Sequence, residues 1–189
     1  MDVLKRAIAP ILPKAWAMID DEARRALATH LCGRKLVEFK GPFGPAFAAV
    51  NIGRLTNLRD APAVGVSAGL VQVQPVVEFR TSMMVDTLQL DSVARGATHI
   101  ELPEVVAAAE RMARAEDNAI FNGYAPAGIT GIIPTSPHAA IAVPDPTQLP
   151  RCVVEAQEVL RIAGVGGPYV LALGTALYEN VTAATDEGY

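Results

Sequence analysis

The residues able to do chemistry in this chain are few and scattered. His30, His99 and His138 sit in unrelated contexts, with no His-x-x-x-His or Glu-x-x-His spacing that would place two ligands on one helix face. They read as one helix-face histidine and two loop histidines. Cys32 and Cys152 are isolated, without the Cys-x-x-Cys spacing of a zinc or redox motif, and are expected to be reduced core or interface residues. No Gly-x-Ser-x-Gly elbow and no Walker loop occurs. The glycine clusters at Gly128-Ile129-Thr130-Gly131 and Gly164-Val165-Gly166-Gly167 lack the following lysine that would complete a phosphate cradle. Adjacent carboxylates occur at Asp20-Asp21, Glu116-Asp117 and Asp186-Glu187. Consecutive residues on a helix point about 100° apart, so the first two pairs make poor acid/base dyads and read as solvated or salt-bridged faces. The third pair is expected in a terminal loop. Repeated around a symmetry axis it would make a negative ring that favours cations. The expectation is therefore no catalytic residue, no metal and no cofactor.

The elements that position these residues follow from periodicity. A short apolar turn near Val3 to Ile8 leads to Pro10 and Pro13, and Pro13 suits the first turn of a helix. Trp16, Ile19, Ala23, Leu27 and Leu31 then recur every three or four residues, which predicts an amphipathic helix from about Lys14 to Leu31, stopped by Gly33. Alternation over Arg34 to Phe39 predicts a strand, closed by the turn Gly41 to Pro45. From about Phe47 to Met84 no helical period appears. Short β-branched runs interrupted by Gly53, Pro62, Gly65, Gly69 and Pro75 predict an extended hairpin arm, whose long edges need covering by another subunit.

A second helix is predicted over about Pro103 to Phe121, with Glu101 and Glu104 near its positive end, Glu110 facing Arg114, and a small-residue face through Val105, Ala109, Met112 and Ile120. Gly123 to Pro150 is rich in Gly, Pro and Ser and reads as a connection, with a division near Ser136. Leu149, Val153, Ala156, Leu160 and Ala163 predict a third helix, followed by a strand Tyr169 to Leu173 and a short helix of about Thr175 to Ala183.

Composition sets the class. Hydrophobic residues make up 51% of the 189 residues and charged residues 19%, so the chain has more apolar surface than a monomer of this size readily hides. No run approaches the ~18 apolar residues of a membrane helix, which assigns the surplus to subunit interfaces. A net charge of −4 without any Lys/Arg run argues against nucleic acid as a partner. The first residues lack the apolar core of a signal peptide, so the expected location is cytoplasmic.

Several segments, in order along nearly the whole chain, resemble the encapsulin family, also known as linocin-type bacteriocins, whose subunits resemble tailed-phage major capsid proteins. At the N-terminus these are Leu4-Lys5-Arg6 with Ala9-Pro10, Trp16, Ile19-Asp20, Leu31 and Gly33-Arg34-Lys35 leading to Gly41-Pro42. Then come Leu90-Asp91-Ser92-Val93-Ala94-Arg95-Gly96 and Ala115-Glu116-Asp117 with Ile120-Phe121 and Gly123. Near the end are Ala163-Gly164-Val165, Gly167-Pro168-Tyr169 and Glu187-Gly188-Tyr189.

The resemblance implies an α+β, phage-capsid-like fold. Residues 1–47 would hold the N-terminal helix and first strand of the peripheral domain, 48–84 the E-loop arm, 85–135 the peripheral domain with its spine helix, and 136–189 an incomplete axial domain. It implies a shell that self-assembles as an icosahedral homo-oligomer around cargo enzymes of ferritin-like or peroxidase type, in iron storage or oxidative-stress protection. Carried over by position, Leu27, Leu31, Arg34, Val37 and Glu38 would bind the cargo's C-terminal targeting peptide. Thr182, Thr185, Asp186, Glu187, Gly188 and Tyr189 would line the five-fold pore. Where some members stack a flavin on tryptophan this chain has Leu88, so no flavin is expected. Members of the family continue beyond the Gly-Tyr motif, which leaves three alternatives: a truncated gene product, a fragment, or one half of a split subunit, the last with a complementary C-terminal fragment as its partner. The alternative is the family's older reading, a secreted bacteriocin with proteolytic activity. It needs an export route and a nucleophile with a partnered histidine, and neither is evident.

Overall fold

A computed structural model describes residues 5–186. The chain divides into two compact units, Met1–Pro134 and Thr135–Tyr189. Helices and strands are both present, consistent with an α+β class.

The first unit is organised by two long helices. Helix α1 spans Pro13–His30 and helix α3 spans Pro103–Phe121, each with proline in its first turn, where the missing N–H costs nothing. They pack on each other. The α1 stripe buries Ala15, Ile19 and Ala26, and α3 buries Val105, Ala108, Ala109, Ala113 and Ala119. The alanines keep side-chain bulk low between the axes, which permits close approach. Between them in sequence, α2 (Thr87–Ala94) is capped by Asp86, whose carboxylate accepts the Leu88 N–H at 2.9 Å. Leu90 and Val93 of α2 join Ala15, Ile19, Ile100, Leu102 and Val105 in the core, and Trp16 packs against it.

Strands β1 (Ala49–Leu58) and β2 (Ala68–Pro75) form an antiparallel two-stranded arm with Ala49 opposite Pro75 and Leu58 opposite Ala68. The register shifts between Asn51 and Leu55. There Gly53 adopts φ +70° and donates its N–H to Asn51 Oδ1 at 2.7 Å, an arrangement that absorbs the irregularity. Val50, Ile52, Leu55, Leu58, Leu70, Val71 and Val73 are all exposed, and Val64 in the connecting loop is wholly so. The short strands β3 (Gly123–Tyr124) and β4 (Ile129–Thr130) pair around a 3-10 turn, Ala125–Ala127. Gly131 crosses so near Gly123 and Asn122 that a Cβ there would collide with backbone. A single turn, α4 (Ile132–Thr135), follows.

The second unit holds α5 (Leu149–Ile162) and α6 (Thr175–Asp186). A 3-10 turn, Pro146–Gln148, leads into α5. Asp145 caps that turn by accepting the Thr147 N–H at 2.8 Å. Leu149 is its one fully buried hydrophobic among the described residues, while Val154, Ile162, Val165, Tyr169, Val170, Leu171 and Tyr178 are exposed.

Four sequence expectations need correction. Residues 34–39 are not the strand expected of the first segment. Gly33–Lys35 forms a 3-10 turn, because the Asp117 carboxylate gathers the Cys32 and Gly33 amides and no partner strand lies alongside among the described residues. Tyr169 to Leu173 is likewise no strand, since no second strand of that unit pairs with it among the described residues. Glu110 does not turn to Arg114 but to His30, with His30 Nε2 3.2 Å from Glu110 Oε1. For Cys32, exposed, and Cys152, half-buried, the interface half of the core-or-interface expectation is the one that stands open. Finally, residues 182–186 belong to α6, whose helical bonding continues past Ala183, and not to a loop.

Candidate cargo-contacting and assembly surfaces

The expected cargo-contact residues cluster where α1 ends against α3. Leu31 N donates to Leu27 O at 2.9 Å and closes the helix. Leu31 is buried and Leu27 half-buried, both as part of the α1 stripe. The next turn is fastened by the adjacent carboxylates of α3. Asp117 accepts the N–H of Cys32 at 2.9 Å and of Gly33 at 2.8 Å. Glu116 takes the Arg34 guanidinium in a bidentate grip, Nε at 2.5 Å and Nη2 at 2.7 Å. The helical offset that disqualified Glu116-Asp117 as a dyad lets one carboxylate face backbone amides and its neighbour face a side chain. Gly33 sits in a tight fit: a Cβ would lie 2.7 Å from Ile120 Cδ1 and 3.0 Å from Asp117 Oδ1, so those side chains would have to give way.

Arg34 also lies over the Phe39 ring at 4.4 Å, a cation–π contact. The hydrogen bonds that Arg34 donates to Glu116 raise its pKa further, so its charge is permanent. Two of its five N–H donors are spent on Glu116, which leaves three for a ligand. Val37 is half-buried and donates its N–H to Gly33 O at 3.2 Å, whereas Glu38 is exposed and pairs with Lys40 at 3.1 Å. Leu27, Leu31 and Arg34 are thus held at one junction, and Glu38 is engaged locally with Lys40.

Of the expected pore residues, Thr182 lies on α6 and donates its hydroxyl to Tyr178 O at 2.8 Å, and Thr185 and Asp186 end that helix. Glu187, Gly188 and Tyr189 lie outside the described residues. Leu88 is exposed on α2. Among the described residues no group of three or more His, Cys, Asp or Glu side chains could hold a metal ion, and no helix is long and apolar enough to cross a membrane.

The larger feature is uncovered apolar surface. The accessible surface is 14,620 Å². A compact monomer of 19.9 kDa would expose roughly 8,700 Å². Even two separate compact units divided at Pro134 would expose only about 10,000 Å². Many exposed Val, Leu, Ile and Tyr side chains stand on the arm and on the second unit. Sequence reading missed the roles of Glu116 and Asp117, although two adjacent carboxylates on a helix opposite a Gly-Arg turn were the available signal.

The comparisons with known proteins agree with this picture. The family model described as encapsulating protein for peroxidase, Linocin_M18, matches residues 1–189. A type 1 encapsulin shell protein of Mycolicibacterium paratuberculosis is 40% identical over 190 residues, covering all of this chain and 71% of the relative. That of Rhodospirillum rubrum is 41% identical over 194 residues, covering 100% of this chain and 69% of the relative. That of Brevibacterium linens is 40% identical over 190 residues, with 100% and 71% covered. With a match along its whole length and relatives near this identity, the chain belongs to the encapsulin shell-protein family.

Proposed function

We propose that this chain is a non-enzymatic subunit of a cytoplasmic nanocompartment, assembling with copies of itself into a closed icosahedral shell around cargo enzymes. The observation that carries the reading is the exposed apolar surface of the arm and second unit, which stable solution requires to be covered. Obligate interfaces of ~2,000 Å² or more per contact, repeated around symmetry axes, consume surface on this scale. The capsid-like division into residues 1–47, 48–84, 85–135 and 136–189 belongs to the same proposal.

The family description names a peroxidase, which favours peroxidase-type cargo. Ferritin-like cargo, with iron storage or oxidative-stress protection, is the other form of this proposal. A cargo C-terminal peptide would lay aliphatic side chains beside Leu27, Leu31 and Val37, with the three remaining Arg34 donors and Glu38 orienting its polar groups. Thr182, Thr185, Asp186, Glu187, Gly188 and Tyr189 would border the five-fold pore. A complementary C-terminal fragment, corresponding to the part of the relatives that this chain does not span, is a further proposed partner for the second unit.

Size-exclusion chromatography with negative-stain microscopy tests the proposal, on the 189-residue chain alone and with the remaining C-terminal segment of a relative supplied in trans. Closed megadalton particles in either arm support it, and their dependence on the added segment decides whether that partner is needed. A monodisperse monomer in both arms refutes it.

A further inference from the structure

The two-stranded arm carries much of the exposed apolar surface, yet its last residues and the segment leaving it are tied down at three points on the body of the first unit. Gln74 Nε2 donates to Ala127 O at 3.0 Å, at the turn between β3 and β4. Phe79 meets Tyr124 of β3 edge-on, with ring centroids 5.9 Å apart. Arg111 of α3 donates from Nη2 to Ser82 O at 3.0 Å and from Nε to Thr81 Oγ1 at 3.3 Å. Among the described residues the other hydrogen bonds of the arm are internal, such as Gln72 Nε2 to Thr56 Oγ1 and Val76 N to Ala48 O. They hold the ribbon together but do not aim it.

We propose that Gln74, Phe79 and Arg111 form a clamp that fixes the angle of the arm, and through it the size of the particle. The second half of that statement rests on the shell reading. The lever is long. A ten-residue strand spans about 33 Å, so a rotation of about 10° at the root moves the tip by roughly 6 Å, more than the ~4.8 Å between neighbouring strands. A freed arm therefore reaches a neighbouring copy out of register, and pairing that slips yields assemblies of several sizes.

The test uses the full chain with Cys32→Ser and Cys152→Ser, spin-labelled at Val64→Cys in the arm loop and Arg114→Cys on α3, diluted in a large excess of unlabelled chain. Double electron–electron resonance then reads the spread of arm angles, and negative stain reads particle size. Gln74→Ala, Phe79→Leu and Arg111→Ala combined should at least double the width of the distance distribution. Gln72→Ala, which removes a bond inside the arm, should leave it unchanged. The combined variant should also convert one particle size into several. Equal widths in parent and combined variant overturn the clamp, whether or not particles form. Broadened distances with particles of unchanged size overturn its role in assembly. Broadened distances in the combined variant, where the parent forms no particles, uphold the clamp and refute the shell reading instead.

Discussion

The grip of Glu116 on Arg34 makes a quantitative prediction that separates folding from cargo capture. The Arg34 and Glu116 side chains retain 41% and 26% of their exposure, so solvent screens the pair and the large energies of buried ion pairs do not apply. Exposed pairs contribute about 0.2–1 kcal/mol in double-mutant cycles, and bidentate geometry places this one near the upper end, at about 0.5–1 kcal/mol of coupling. Arg34→Ala also loses the contact over Phe39, so it should cost about 0.5 kcal/mol more than Glu116→Ala. The assay is equilibrium urea denaturation of both single variants and the double variant, followed by far-ultraviolet circular dichroism. A coupling below about 0.2 kcal/mol would refute the view that this pair fastens the turn to α3. Capture of a cargo C-terminal peptide is the second readout. If Arg34 serves cargo through its remaining donors, Arg34→Ala abolishes capture while Glu116→Ala, which frees the guanidinium, preserves it. Equal loss in both variants would show that capture depends on the turn's shape alone.

Other parts of the first unit yield equally direct tests. The Asp20 carboxylate accepts Arg6 Nη1 at 2.7 Å and Nη2 at 2.5 Å, and this hydrogen bonding holds its pKa below the ordinary carboxylate value. The lowered pKa stabilises the fold above the unfolded value of about 3.9, and that contribution is lost as pH falls through the lower folded value. Asp20→Asn should therefore flatten the acid limb of a stability–pH curve below about pH 4 and lower the plateau above it. Gly131→Ala would place a Cβ 2.5 Å from Phe121 O and against the backbone of Asn122 and Gly123, none of which can rotate away. It should cost about 3 kcal/mol or more, whereas Gly128→Ala, at φ +67° in open space, should cost only about 1 kcal/mol; thermal melts that reverse this order would contradict the crossing. Ala113 is 0% exposed between the long helices, so Ala113→Leu should cost about 1–3 kcal/mol by overpacking, read as a midpoint shift in urea.

The long helices were legible because two signals coincide in each: proline in the first turn and apolar residues every three or four positions. The structure begins α1 at Pro13 and α3 at Pro103 and ends α3 at Phe121. The arm was legible for the opposite reason, since its glycines, prolines and β-branched runs fit neither a helix nor a compact sheet. Residues 34–39 misled because alternation describes only one strand, and a strand exists only with a partner. The decisive event there was the capture of two amides by a carboxylate some 85 residues away, which no local pattern encodes. Helix α2 was passed over because eight residues with Leu90 and Val93 buried give too short a period to read. The cargo contacts proposed for Leu27, Leu31, Arg34, Val37 and Glu38 rest on resemblance. What sequence hid was the prior engagement of Arg34 by Glu116 and of Glu38 by Lys40.

The distribution of charge says how the shell should be held together. Many of the charged side chains pair within a few residues or within the first unit: Asp21 with Arg24, Glu22 with Arg25, Glu78 with Arg80, Glu158 with Arg161, Asp20 with Arg6. The surfaces left uncovered carry many aliphatic and aromatic side chains, on the arm and along the second unit, with exposed charges such as Arg54, Arg59 and Asp60 among them. Association through such surfaces has the signature of apolar burial and not of ion pairing. If the apolar side chains carry the contact, it should be little affected when ionic strength rises from about 0.05 to 0.5 M, because screening acts on charges alone. It should weaken on cooling, because hydrophobic stabilisation fades at low temperature. Light scattering of assembled particles at several salt concentrations and at 4 and 37 °C distinguishes the two. Disassembly driven by salt at constant temperature would mean that charged contacts, and not the exposed apolar residues, close the shell.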